Sequence, residues 1–156
     1  MGELTVPKHR VEVAVQLAGG LERRVSLFLA EGAPRHAGQE RVGDLLEADG
    51  EFIPAIDAAA PGVTFLRCAA ILVVAAPSGP ALGAADDVTL PTEHEVDVAL
   101  DDGRVLHGVL SYALPTDRSR LVDYLNQPAR FLPLHRDGEV LFVNKDHITR
   151  ISALER

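Results

Sequence analysis

Arg120-Leu-Val-Asp-Tyr-Leu-Asn-Gln-Pro-Ala-Arg-Phe-Leu-Pro133 decides the fold, because an earlier stretch of the same chain repeats it. Moved back 79 positions, it lies without a gap on Arg41-Val-Gly-Asp-Leu-Leu-Glu-Ala-Asp-Gly-Glu-Phe-Ile-Pro54. Over 41–55 against 120–134, five of fifteen positions are identical: Arg41/Arg120, Asp44/Asp123, Leu46/Leu125, Phe52/Phe131 and Pro54/Pro133. Chance pairing at ordinary frequencies gives about one. The chain therefore reads as two copies of one unit, 8–76 and 92–154, joined by a linker at 77–91 that is rich in Pro, Gly and Ala and has no period.

Outward from the repeated block, each copy has the same order of patterns. Val11–Leu17 alternates apolar and polar residues with period two, Gly19-Gly20 turns, and Arg24–Leu29 returns as a strand. Residues 31–38 read as a loop. Gln39–Glu47 places Val42, Leu45 and Leu46 on one helical face, and Asp49-Gly50 ends that helix. Phe52–Ile56, Val63–Leu66 and Ile71–Ala75 then read as three short strands. The second copy repeats this with Glu95–Leu100, Val105–Tyr112, a helix capped by Thr116 or Ser119 and stopped by Pro128, then Arg130–Leu134, Glu139–Val143 and Ile148–Ile151. The expected fold is mostly β: two tandem SH3-like or Sm-like small barrels, each with one short helix between its second and third strands. Leu121 and Leu125, like Val42 and Leu46, are expected to close their barrels. Arg41/Asp44 and Arg120/Asp123 stand three apart and read as exposed ion pairs on a helix face.

At 156 residues, 47% hydrophobic and 24% charged, the chain is globular rather than disordered. Its formal net charge is −8, spread over both halves, which opposes nonspecific binding to nucleic acid or anionic lipid. Cys68 stands alone in an apolar run and reads as a buried, inert thiol. No signal peptide and no membrane-spanning stretch are visible, so a cytoplasmic protein is expected.

No Gly-rich phosphate loop, nucleophile elbow or His-Glu-x-x-His is present, and the expectation is a non-enzymatic protein without metal or cofactor. Of the six histidines, His107, His135 and His147 all fall in the second copy, where they could converge as a small-ligand or metal sensor. One turn differs between copies in a telling way. Asn144, Lys145, Asp146 and His147 are polar, whereas their counterparts are Arg67, Cys68, Ala69 and Ala70. The polar turn is expected to face solvent or a partner, and the apolar one to be covered by the other copy.

The pattern of Val96–Leu110, closed by Val143-Asn-Lys-Asp-His-Ile-Thr149, resembles the Sm-like fold, in particular the bacterial Hfq-type RNA chaperones. The resemblance implies that Lys145 and His147 contact RNA. It departs from that family in the position of the helix, the acidic charge and the tandem copies. Residues 96–151 also look like an uncharacterised bacterial domain, which implies no activity. The leading expectation is an interaction or scaffold module that binds a protein partner or itself through strand edges or helix faces. Sm-like RNA binding at 144–147 is the alternative.

Overall fold

The structure is a computed structural model that describes residues 8–30, 40–48, 50–78, 92–113 and 120–154. The described residues are mostly β, with ten antiparallel strands and two short helices. The strands are β1 (Lys8–Leu17), β2 (Leu21–Ala30), β3 (Phe52–Asp57), β4 (Val63–Arg67), β5 (Ile71–Pro77), β6 (Thr92–Leu100), β7 (Val105–Tyr112), β8 (Phe131–Arg136), β9 (Glu139–Asn144) and β10 (Ile148–Ala153). Helix α1 (Val42–Glu47) precedes β3 and α2 (Leu121–Leu125) precedes β8. Among the described residues, no helix is long and apolar enough to cross a membrane.

The strands pair as one open sheet in the order β10-β6-β7-β8-β9-β5-β1-β2-β3-β4. Two separately closed barrels were expected, and this is a different arrangement. The last strand of the first half has its second edge against β9, so the halves share one ladder. Within each half the order is nonetheless the same: fifth strand, first, second, third, fourth. The irregularities also recur. β5 bulges against β1 between its Ile71 and Val73 pairings, and β10 bulges against β6 between Ile148 and Arg150. Each bulge sits one residue after a short 3-10 turn, Cys68–Ala70 in one half and Lys145–His147 in the other.

The strand limits follow the sequence pattern and run one to three residues beyond it at half of the ends, while β8 begins one residue late, at Phe131. At the first hairpin Gly19 and Gly20 hold φ of +94° and +88°, a backbone that residues with a Cβ rarely adopt. Between β7 and β8 the ladder has a single pairing, Val109 with His135. A Cβ on Gly108 would lie 2.7 Å from Leu134 Cγ and 2.9 Å from the His135 carbonyl oxygen, so only glycine lets these strands cross so closely. Most of the expected linker (79–91), the loop 31–38, Asp49, and the caps Thr116 and Ser119 lie outside the described residues. Pro77, the first residue of the expected linker, lies in β5.

Two apolar cores result, and both are built from both halves. The first contains Val13, Val15, Leu27, Val42, Leu46 and Val74, together with Phe131, Val140 and Phe142 from the second half. The second contains Val96, Val98, Leu110, Leu134, Leu141 and Val143, together with Leu72 and Val73 from the first. β5 and β9 thus bury both faces, which is why Ile71–Ala76 and Val140–Val143 are apolar without alternation. In α1, Val42 and Leu46 are fully buried, as expected. In α2, Leu121 and Leu125 only lean on the second core, and Tyr124 stacks on Tyr112 with ring centres 4.5 Å apart.

Candidate interaction site: the central seam and the open edges

The turn after β9 lies directly on the seam between the halves. Asn144 is buried. Its amide nitrogen donates to the carbonyls of Cys68 (3.2 Å) and Ile71 (2.9 Å), and its side-chain oxygen accepts from the Asp146 backbone N–H at 3.0 Å. Lys145 turns its ammonium onto the carbonyls of Leu125 (3.0 Å) and Gln127 (2.7 Å), closing the C-terminal end of α2. Burial pushes its pKa down, against the opposing pull of Glu47. Asp146 is exposed. The His147 ring bridges Asp101 Oδ2 and the Ala69 carbonyl, at 2.8 Å each. Of the four side chains expected to meet solvent or a partner, three are therefore engaged by the chain's own carbonyls and carboxylate. On the first-half side Cys68 is buried, while Arg67 and Ala69 are exposed and Ala70 is half-buried, so the apolar turn is covered only at Cys68.

Burial of the His147 ring works against its charge. The Ala69 carbonyl and the Asp101 carboxylate, with Asp146 nearby, outweigh burial and raise its pKa. The folded chain then holds the proton more tightly than the unfolded chain does. The resulting stabilisation is complete below about pH 6.5, the ordinary histidine value, and fades as pH rises through the raised one. Wild type should lose stability from mildly acidic to mildly alkaline pH, and His147→Gln should lose less over that interval. Urea midpoints across the range check this; equal slopes would remove His147 from any such role.

Residues that the repeat alignment treats as ordinary carry the rest of the seam. Glu47 accepts from the backbone N–H groups of Arg130 and Phe131, both at 2.8 Å. Arg130 in return donates to the carbonyls of Leu46 and Ala48 at 2.7 Å and of Gly50 at 3.3 Å. Arg130 thus closes the end of α1 from the other half, as Lys145 closes α2 from its own. Arg104 also reaches Gln16 across the halves. One sequence signal pointed here: within the repeated block, position 51 is acidic where position 130 is basic.

The other paired positions diverge according to their surroundings. Asp44 accepts from the Arg41 backbone N–H at 3.0 Å, capping α1, whereas Asp123 forms an ion pair with Arg120 at 3.2 Å. Pro54 and Pro133 occupy the same register, opposite Phe65 and Phe142. Phe131 is buried beneath the seam, while Phe52 is exposed with the Arg67 guanidinium 5.7 Å above its ring.

Of the three histidines expected to converge, His107 and His135 line one cleft and His147 lies apart from them. His107 lies between Glu95 (3.3 Å) and Asp97 (2.9 Å), lining an open polar cleft with His135, Arg136 and Glu139, while His147 stays at the seam. Among the described residues, no three His, Cys, Asp or Glu side chains form a metal-binding set.

The two ends of the sheet remain. On one, β4 has no strand partner on its outer side among the described residues, and it exposes Val63 and Phe65 next to Phe52. On the other, beside β10, Leu125, Leu132, Ile148 and Ile151 line a small apolar cavity of about 170 Å³ with Lys145 at its rim. Comparison with family models, curated proteins and solved structures finds no match to this chain.

Proposed function

We propose that this chain is a non-enzymatic protein-interaction module, two copies of one SH3-like or Sm-like unit, that takes a partner strand on its open sheet edges. The observation that carries this is the β4 edge. An outermost strand with three large exposed apolar side chains beside it is a template for pairing with another chain, which folded proteins ordinarily blunt with charge, proline or cover. The identical strand order and matching bulges of the halves support the two-copy reading. The acidic balance and the engagement of Lys145 and His147 within the fold favour protein over RNA as the partner.

The test is capture from cell extract by immobilised wild-type chain and by Phe65→Lys, each with and without nuclease. Phe65 is exposed, so the variant should melt within a degree or two of wild type while losing the captured proteins. Capture that survives Phe65→Lys, or that vanishes only on nuclease treatment, would sink the proposal.

A further inference from the structure

The sheet contains its own demonstration of what its ends fit. Pairing β9 of the second half with β5 of the first leaves the fourth strand of the first half, β4, and the fifth strand of the second, β10, without a strand partner on their outer sides among the described residues. These are the same two kinds of edge that meet at the seam. The hairpin registers fix the correspondence: Leu66, Phe65, Thr64 and Val63 stand where Val143, Phe142, Leu141 and Val140 stand. The bulges fix the other side, with Arg150, Ile151, Ser152 and Ala153 standing where Val73, Val74, Ala75 and Ala76 stand.

Burial separates the two ends. The residues that the second half inserts into the first core are Phe131, Val140 and Phe142, exposed by only 3%, 2% and 6%. Their counterparts Phe52, Val63 and Phe65 are exposed by 53%, 50% and 64%. The receiving side mirrors this. Val42 and Leu46 are fully buried under the inserted rings, while their counterparts Leu121 and Leu125 are only half covered, and Leu125 lines the apolar cavity beside β10.

We propose that a second copy of this chain docks head to tail, its β4 edge on the β10 edge of the first, in the register of the central seam. This rests on the reading of the open edges as the working surface and names their partner. The seam pairs Val74 with Phe142 and Ala76 with Val140; the contact between copies pairs Ile151 with Phe65 and Ala153 with Val63. Phe65 and Phe52 fill the cavity at Leu125, Ile148 and Ile151. Arg67, in the place of Asn144, has donors for the carbonyls of Lys145 and Ile148.

Two differences make this contact weaker than the seam. Phe142 passes 3.3 Å from where a Cβ on Gly43 would be, and the counterpart of Gly43 is Val122, so the arriving ring must sit further out. Arg150 and Ser152 replace Val73 and Ala75, leaving one apolar face where the seam has two. Because the two edges differ, the contact is heterologous: it propagates from copy to copy and ends only if a ring closes.

The experiment is mass measurement on purified full chain by light scattering, from low to high micromolar concentration. Wild type should show multiples of 16.7 kDa. Phe65→Lys blocks one edge. Ala153→Pro blocks the other without costing an internal bond: Leu154 N–H donates to Glu95, so the alternating ladder points the Ala153 N–H outward. Each variant alone should run as a monomer with wild-type melting behaviour. Mixed, they should form a pair of chains and nothing larger, since each supplies the edge that the other lacks. Wild type that stays monomeric throughout, or a mixture that stays monomeric, overturns the proposal. If wild type is monomeric yet Phe65→Lys still loses captured proteins, self-assembly fails and the edge reading stands; if capture is also unchanged, both fail.

Discussion

Phe142→Ala should lower stability by about 3–5 kcal/mol, the range for truncating a buried aromatic, whereas Phe65→Ala should cost the dilute chain no more than about 0.5 kcal/mol. The two residues occupy the same place in their hairpins, each opposite a proline, so local propensity cancels in the comparison. What differs is company. The Phe142 ring lies over Gly43 among the side chains of the first core, while Phe65 faces outward from the last strand. Urea midpoints of the two variants, read at low protein concentration, make the comparison. Equal losses would mean that the position matters for a reason inside the hairpin and that the seam adds nothing.

The second large effect belongs to Asn144. Removing its amide leaves the Cys68 and Ile71 carbonyls without that donor at a buried site, and an unmet buried polar group costs about 1–3 kcal/mol. Asn144→Ala should therefore be clearly destabilising. Asn144→Asp should be no better, although it keeps an acceptor for the Asp146 N–H: it aims a carboxylate at two carbonyl oxygens. The conservative variant is the discriminating one. Should Asn144→Asp unfold at the wild-type urea concentration, the bridge across the seam is not holding the halves together.

The alternation of Val11–Leu17 and Glu95–Leu100 made the hairpins legible, because a half-buried strand shows its burial in every second residue. The repeated block placed both helices, though the first begins at Val42, three residues after the expected Gln39. The shared ladder was not legible. Ile71–Ala76 and Val140–Val143 carried its mark, an apolar run without period, but that pattern reports burial on two faces and does not name the strand alongside. Closed barrels were the economical way to cover such strands within one half, and the chain covers them with the other half instead. The turn at 144–147 misled for a related reason. Polar residues in a turn ordinarily meet water, but here the neighbouring turn offers carbonyls of its own, and a side chain's partners across 76 positions of sequence leave no local trace.

The mixed make-up of the first core has a consequence for how the chain comes into being. A polypeptide is made from its N-terminus, so Val42, Leu46 and β5 are synthesised well before Phe131, Val140 and Phe142, the side chains that complete their packing. Until β9 arrives, the growing chain holds a nearly finished half whose most apolar strand has a bare edge and whose helix covers a gap. Contacts so distant along the chain form slowly, and an unpaired strand in a waiting intermediate is where wrong pairings begin. The stretch between β5 and β9 therefore sets a delay during which the nascent protein is at its most adhesive, and any change that lengthens it extends that exposure.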